Sequence, residues 1–142
     1  MAKAAKTLRD AGIKIQVGGH GQLQGLSPNW ETWSLTQGGF SNFEALRAAT
    51  FDGADSLGFG RELGSLEVGK KADLVVLNSN PLENIRNTVD AKFVMKGGKL
   101  YDAMSLDEIW PRAVPFGPYY WVNDNVLQQN TKKSDVFDKP GR

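Results

Sequence analysis

The feature that most constrains the fold of this 142-residue sequence is a change in its hydrophobic pattern near residue 64. Upstream, apolar residues recur at spacings of three and four, which is typical of helices. Downstream, the stretch "KKADLVVLN" predicts a strand from Asp73 to Leu77 that is apolar enough to be buried on both faces. The stretch "AKFVMKGGKLYD" predicts a hairpin with Gly97 and Gly98 as its two-residue turn. A mostly helical first half is therefore followed by a β-structured half.

The first sixty residues also predict one strand among helices. A helix over residues 2–11 ends at Gly12, and a strand from Ile13 to Val17 follows at once, as in the αβ half of a βαβ unit. Downstream, "WETWSLTQGG" predicts a short helix that stops at two glycines. Ser41 and Glu44 have the S-x-x-E spacing of a capping box, and they predict the start of one further helix that continues to Leu57. This order predicts an α/β fold.

Composition and charge exclude several classes of partner and site. The formal net charge is +1, from 17 basic and 16 acidic residues, and no Lys- or Arg-rich cluster points to nucleic acid or to an anionic membrane. The sequence has no cysteine, which excludes disulfides and thiolate metal sites. The first residues have no apolar core of a signal peptide. These observations predict a soluble, cytoplasmic protein.

Three segments follow from these patterns. Residues 1–62 form the helix–strand–helix part, and residues 63–102 form the β-structured part. Residues 103–142 begin with "SLDEIW", which predicts helical turns capped by Ser105, and continue into a strap rich in proline and aromatic residues. The last residues are polar and are expected to fray. The strap is expected to lie along a surface.

Several motifs resemble those at the C-terminal end of the amidohydrolase superfamily, and the resemblance runs from about residue 11 to residue 110. The stretches "LGSLEVGKKADLVVLNSNPLENI", "VMKGGKLYD" and "GGFSNFEALRAATFDGADSLGF" occur here in the order found in that family. More narrowly, they resemble imidazolonepropionase-like enzymes and the amidohydrolases fused to TolB-type propellers. The resemblance implies a fold made of the last strand and helices of a (β/α)8 TIM barrel, followed by strands of a small β-sandwich domain.

The same resemblance implies metal-dependent hydrolysis of C–N bonds, with a zinc-like divalent metal in a full-length parent. Enzymes of this kind bind the metal with several histidines and an aspartate, whereas this sequence has one histidine. A complete barrel also needs about 250 residues. We therefore expect the chain to be the C-terminal portion of such an enzyme, to hold no metal by itself and to be inactive in isolation.

The one histidine, His20, lies in "QVGGHGQLQG" after the Ile13–Val17 strand. If that strand is the last of a barrel, His20 lies at the mouth, at the position where the family usually has an aspartate. A neutral imidazole there is a metal ligand or a general base, and the alternative is a hydrogen-bonded structural histidine. The loop that follows offers substrate-side amides, an aromatic wall and a carboxylate. These candidates are Gln22, Gln24, Asn29, Trp30 and Glu31. The alternative is that Trp30 and Trp33 anchor the helix to the core, which is the expectation for Trp33.

Two classes of function remain open at this point. The first is the C-terminal part of a hydrolase that acts on C–N bonds of a small-molecule substrate. The second is a non-catalytic binding or assembly module that reuses the amidohydrolase scaffold. In both cases unpaired strand edges predict a partner, which is either a second copy of the chain or the N-terminal barrel portion of such an enzyme. Charges such as Arg47, Asp52, Asp55 and Arg61 are expected to lie on helix surfaces and turns.

Overall fold

The computed structural model describes residues 1–19 and 23–117. Helices fill the first half of this part of the chain, and an antiparallel sheet fills the second half, so the fold is a mixture of helix and strand. The elements, in chain order, are α1 (Ala2–Asp10), α2 (Ser27–Gln37), α3 (Asn42–Ala48), α4 (Phe51–Ser56), β1 (Leu74–Leu77), a 3-10 helix (Ile85–Val89), β2 (Ala91–Lys96), β3 (Lys99–Asp102) and β4 (Glu108–Trp110).

The helix ends are set by local sequence signals. Helix α2 has a proline in its first turn and ends at Gly38, and Gly39 follows with a φ of 105°. At the start of α3, Ser41 Oγ accepts a hydrogen bond from the backbone N–H of Glu44 at 3.2 Å, and a carboxylate oxygen of Glu44 accepts one from the N–H of Ser41 at 2.8 Å. The predicted capping box is therefore confirmed, and such caps stabilise a helix by about 1 kcal/mol.

The prediction of one continuous helix from the capping box to Leu57 is wrong. Helix α3 ends at Ala48, and α4 begins at Phe51 after Thr50, whose φ and ψ of −132° and −90° lie outside the helical region. The change of direction buries two residues of α4, Asp52 and Ala54. Leu57 remains 72% exposed beyond the end of α4. The apolar spacing alone did not reveal this break, and it gave no sign of the contact between Asp52 and Arg9 of α1 that is described below.

The hydrophobic core lies among the helices. Ala45 and Ala48 are 0% and 1% exposed, and their small side chains let α3 approach its neighbours closely. The indole N–H of Trp33 donates to the carbonyl oxygen of Ile85 at 3.0 Å and to Thr88 Oγ at 2.9 Å, which joins α2 to the 3-10 helix. The expectation that Trp33 anchors its helix is confirmed. The buried cluster consists of Trp33, Leu35, Phe40, Ala45, Ala48 and Ile85.

The segment predicted as a strand from Ile13 to Val17 is not a strand in the structure. A strand needs a paired neighbour, and no strand of the described chain borders this segment. Among residues 1–19 and 23–117, its one long-range backbone–backbone hydrogen bond runs from the N–H of Val17 to the carbonyl of Ala48, at 3.1 Å. The alternation of the sequence is nevertheless retained, because Ile15 and Val17 pack against the helical core. The segment therefore lies along the helices with its apolar side facing them.

The sheet has the order β1-β2-β3-β4, and every neighbouring pair is antiparallel. Lys96 is opposite Lys99, and the two residues between them, Gly97 and Gly98, have φ values of 57° and 80°. These positive φ values define a type I′ turn, which favours glycine at both positions. The predicted hairpin and its turn are therefore confirmed.

Strand β1 is less buried than its composition suggested. Val75 and Val76 are on opposite faces of the strand, and they are 56% and 38% exposed. The prediction that this strand is buried on both faces is wrong, because β1 lies at one edge of the described sheet and has only β2 beside it. Just before β1, a carboxylate oxygen of Asp73 accepts a hydrogen bond from the N–H of Gly97 at 2.6 Å. Asp73 therefore ties the edge strand to the hairpin turn.

The stretch "SLDEIW" does not form the predicted helical turns. Residues 108–110 instead form β4, in which Glu108 is opposite Tyr101 and Trp110 is opposite Leu100. Pairing with β3 satisfies the backbone of this segment, so the tertiary neighbour overrides the local helical tendency. The segment predicted as a strap therefore begins with a strand of the sheet. Its aromatic residues Tyr119, Tyr120 and Trp121 lie outside the described residues.

Candidate functional site

The candidate mouth is formed by the end of the segment 13–19 and the first turn of α2. The carboxylate oxygen Oε2 of Glu31 accepts a hydrogen bond from the backbone N–H of Gly18 at 3.1 Å. Glu31 is half-buried. This bond fixes the end of the extended segment against α2, immediately before His20. The contact joins residues 13 positions apart, and no motif in the sequence indicated it.

Gly19 explains why the segment needs a glycine before the histidine. A Cβ atom at Gly19 would lie 3.0 Å from the backbone nitrogen of Pro28 and 3.2 Å from the carbonyl carbon of Ser27. These are backbone atoms at the start of α2, so they cannot move away as the end of a flexible side chain can. The absence of a side chain therefore lets the segment pass close to α2, directly beside the position of the histidine.

The other predicted site residues fall into three groups. Trp30 is 48% exposed, and Gln24 is also exposed. The indole of Trp30 and the amide of Gln24 therefore face solvent, and both residues are close in sequence to Glu31. The side-chain amide of Asn29 donates to the carbonyl of Gly25 at 3.0 Å, which braces the loop before α2. His20 and Gln22 lie outside the described residues, so their roles stay predictions.

An ionic cluster around the buried Asp52 connects α1, α3 and α4, and no pattern in the sequence indicated it. Asp52 is 3% exposed, although it was expected on a helix surface, and that expectation is wrong. Its carboxylate accepts hydrogen bonds from Arg47 Nε at 2.8 Å and from the guanidinium of Arg9 at 3.3 Å. Arg9 Nε also donates to Glu44 at 3.2 Å. The carboxylate charge of Asp52 is therefore paired, and the cluster is part of the scaffold.

The capping box also changes the electrostatics of this cluster. The backbone N–H of Ser41, and to a smaller extent the side chain of Arg9, hold the pKa of Glu44 below its ordinary value of 4.5. Glu44 therefore keeps its charge at neutral pH and serves both the helix cap and the α1–α3 contact. A sequence signal existed for the cap, in the S-x-x-E spacing, but not for the contact between Arg9 and α3.

Two apolar grooves lie away from the mouth. One has a volume of about 650 Å³ and is lined mainly by α3, the start of α4 and the loops before and after β1. The other has a volume of about 550 Å³ and lies between the helices and the sheet edge, where Leu46, Leu66, Val75, Val94 and Met95 line it. Both are predominantly apolar, and neither contains the residues of the mouth. Their lining indicates packing surfaces rather than sites of acid–base chemistry.

The described residues do not fit a metal site by themselves. No group of three or more His, Asp or Glu side chains that could hold a metal ion occurs in residues 1–19 and 23–117. A catalytic zinc site needs three protein ligands, and the sequence contains one histidine, His20. Within the same ranges, no helix is long and apolar enough to cross a membrane.

Comparison with known proteins gives a consistent result at the level of sequence. A profile of the Amidohydrolase family matches residues 1–101. Ochratoxinase of Aspergillus niger is 34% identical over 103 residues, which is 70% of this chain and 22% of the enzyme. Imidazolonepropionase of Geobacillus kaustophilus is 42% identical over 65 residues, which is 44% of this chain and 15% of that protein. The chain thus spans less than a quarter of the length of these curated relatives.

Solved structures show the same similarity in three dimensions. A Xaa-Pro dipeptidase with bound methionine superimposes with a TM-score of 0.64 and 31% identity, over 71% of this chain and 25% of that one. Aspergillus niger ochratoxinase superimposes with a TM-score of 0.62 and 32% identity, over 71% of this chain and 24% of the enzyme. The order of motifs, the fold and these similarities lead to one conclusion: the chain belongs to the amidohydrolase family.

Proposed function

We propose that this chain is the C-terminal portion of a metal-dependent amidohydrolase that hydrolyses C–N bonds of amide or dipeptide-type substrates. In this proposal the segment 13–19 corresponds to the last barrel strand, and the sheet corresponds to strands of the small sandwich domain. The match to the amidohydrolase profile over residues 1–101 and the similarity to an ochratoxinase and to a Xaa-Pro dipeptidase support it. The observation that carries it is the Glu31–Gly18 contact, which fixes the backbone beside His20.

The residues of the mouth have distinct roles in this proposal. Among the described residues, Glu31 accepts a hydrogen bond only through Oε2, so Oε1 is free to accept one from a substrate ammonium or amide group. The exposed indole of Trp30 offers an apolar wall, and Gln24 offers amide hydrogen bonds. His20 and Gln22 complete the set, with His20 as general base or metal ligand. These groups bind and orient the substrate.

We assign no chemical step to a metal in this chain, because the described residues do not fit a complete site. A divalent metal in such an enzyme would supply Lewis acidity at the scissile carbonyl. It would need ligands in addition to the one histidine of this sequence. The proposal therefore predicts that the 142-residue protein binds small amides weakly at the mouth and does not hydrolyse them.

Amide-resolved NMR of the 142-residue protein tests this proposal, with a glycyl-proline dipeptide as the probe. We expect chemical-shift changes at the N–H of Gly18 and at the indole N–H of Trp30. Glu31→Gln retains an oxygen for the Gly18 N–H but removes the charge, so it should weaken binding and leave the Gly18 resonance near its original position. Glu31→Ala should move that resonance even without dipeptide. Shifts confined to residues outside the mouth would contradict the proposal.

A second measurement addresses catalysis. The same protein, dialysed after incubation with zinc, should hold far less than one metal ion per chain and should release no free proline from the dipeptide. Tightly held stoichiometric zinc with turnover would show a complete active site in this chain and would contradict the account above. If neither binding at the mouth nor turnover occurs, the non-catalytic binding or assembly module is the better description of this chain.

A further inference from the structure

Two neighbouring backbone groups hold the extended segment from two sides, just before the candidate mouth. The N–H of Val17 donates to the carbonyl of Ala48 at 3.1 Å, and the N–H of Gly18 donates to Glu31 at 3.1 Å. Successive N–H groups of an extended chain point in opposite directions. The end of α3 is therefore on one side of the segment and α2 is on the other, and His20 follows directly in the sequence.

The carbonyl of Ala48 is available to Val17 because α3 ends at Ala48. In a continuous α-helix this carbonyl would accept the N–H of Asp52. Here the chain leaves the helical path at Thr50, whose φ and ψ are −132° and −90°. One carbonyl therefore has two alternative donors, which are the N–H of Asp52 in a continuous helix and the N–H of Val17 in the observed structure.

Thr50 satisfies the end of α3 with both of its donors. Its hydroxyl donates to the carbonyl of Leu46 at 2.8 Å, and its N–H donates to the carbonyl of Arg47 at 3.2 Å. The last carbonyls of a helix lack intrahelical partners, and a hydroxyl that bonds one of them favours a bend or an end of the helix at that point. Thr50 is exposed, so a change at this position leaves the buried core intact.

The ionic cluster around Asp52 connects the two parts of the chain that compete for this carbonyl. Arg9 is in the last turn of α1, which leads into the extended segment, and its guanidinium bonds the carboxylate of Asp52 at 3.3 Å. Arg47 bonds the same carboxylate at 2.8 Å. The cluster therefore ties the start of α4 to the helix from which the segment continues.

We propose that Thr50 is a positioning residue of the candidate mouth. By ending α3 it leaves the carbonyl of Ala48 to Val17, and this bond fixes the backbone that leads into His20. Thr50 acts through Ala48 and Val17, and not by contact with the substrate. This role rests on the proposed function, because the mouth is where that function places the substrate.

Amide hydrogen exchange measured by NMR on the 142-residue protein, combined with titration of the glycyl-proline dipeptide, tests this role. Thr50→Ala removes the hydroxyl and places a strong helix former at the break. The N–H of Val17 should then lose the carbonyl of Ala48 and exchange about tenfold faster, whereas the N–H of Asp52 should exchange more slowly. The dipeptide should bind severalfold more weakly. The melting temperature should change little, because the substituted side chain is exposed.

Two further variants serve as controls. Thr50→Ser retains a hydroxyl that can donate to Leu46, so it should restore both the protection of Val17 and the affinity for the dipeptide. Thr36→Ala removes a hydroxyl that donates to the carbonyl of Trp33 at 2.7 Å, in the last turn of α2. This is the same kind of bond at the end of another helix, and its loss should leave the exchange of the Val17 amide unchanged.

Two results would overturn the proposal. The first is an exchange rate of the Val17 amide that is the same in Thr50→Ala and in the parent. The second is a dipeptide that binds Thr50→Ala as tightly as the parent although the protection of Val17 is lost, which would leave the proposed function standing. A parent that binds no dipeptide contradicts the proposed function and with it the role of Thr50 at the mouth, whereas the exchange of Val17 and Asp52 still shows which donor Ala48 accepts.

Discussion

The helical part and the sheet of this chain differ in how completely each buries its own apolar side chains. The helices contribute Trp33, Leu35, Ala45 and Ala48 to a cluster of buried residues, and Phe40 joins them from the turn between α2 and α3. In the four strands described, Glu108 is the one buried residue, and it is acidic. All the apolar residues of these strands are partly exposed. The helical part therefore has a buried core of its own, whereas the apolar side chains of the sheet remain uncovered in the described residues.

The reason lies in how helices and sheets satisfy their backbone hydrogen bonds and bury their apolar side chains. A helix satisfies its backbone internally, and a few helices enclose a core as soon as small residues such as Ala45 let them approach. A single sheet has two faces and two edges, and it needs a second layer before its apolar residues are buried. Within the described residues, the helices therefore bury a core of their own, whereas the four strands leave their apolar side chains partly exposed.

The largest effect is expected for Trp33→Ala. This change removes the indole from the core, the hydrogen bonds to Ile85 and Thr88, and the stacking of Arg86, whose guanidinium lies 4.1 Å from the ring centroid. Such a loss costs about 3–5 kcal/mol of the free energy of unfolding, measured by chemical denaturation. Trp30→Ala on the same helix is the control, and it should change little because Trp30 is exposed. Equal losses would contradict the assignment of the core.

A smaller loss of stability is expected for Asp52→Asn, which tests the ionic cluster that connects α1, α3 and α4. The amide leaves the guanidinium groups of Arg9 and Arg47 without their shared carboxylate, at a cost of about 2–3 kcal/mol, since the cluster is only partly shielded from solvent. Asp55→Asn is the matched control, because Asp55 pairs with Lys14 at the surface. If Asp55→Asn destabilises the protein as much as Asp52→Asn, the cluster does not have this role.

The hairpin offers a test of the sheet. Gly97→Val forces a β-branched residue to a φ of 57°, which costs about 1–2 kcal/mol. Gly97→Asn is the control, because asparagine tolerates a left-handed conformation and Asn-Gly favours a type I′ turn. Thermal melts of both variants should separate them by several degrees. An asparagine variant as unstable as the valine variant would contradict the turn type.

The smallest effect is a pH dependence at the sheet edge. The ammonium of Lys96, followed by the N–H of Gly97, holds the pKa of Asp73 below its ordinary value of 3.8. Because the folded-state pKa is the lower one, this carboxylate stabilises the fold above about pH 4, and the contribution disappears as the pH falls through the folded-state pKa. Asp73→Asn should therefore be less stable than the parent at neutral pH, and the gap should close in acid. A gap that widens in acid would contradict this sign.

Features encoded by adjacent residues could be predicted from the sequence. The capping box at Ser41 and the glycine turn at Gly97 and Gly98 depend on local geometry, and both were found as expected. The extended segment 13–19 and the exposure of β1 were predicted less well, because pairing and burial depend on which other strands are present. The burial of Asp52 in α4 was not predicted either, because it joins parts of the chain that are distant in sequence.

The same distinction applies to the candidate site. The sequence predicted Glu31 and Trp30 as mouth residues because they follow the histidine in a loop and helix start, and their roles stay predictions. It did not reveal that Glu31 bonds the N–H of Gly18, or that Gly19 is needed beside Pro28. Both contacts arise when the segment packs against α2, and packing distances are not visible in a pattern of residue types.

Hydrogen exchange measured by mass spectrometry on a dilute sample tests the central comparison most directly. We predict slow exchange in peptides from α2 and α3, because their amides lie in or beside the buried cluster. We predict exchange faster by orders of magnitude in the peptide that contains β1. A β1 peptide that is as protected as α3 in the dilute sample would contradict the claim that the helices carry the core and the sheet lacks its cover.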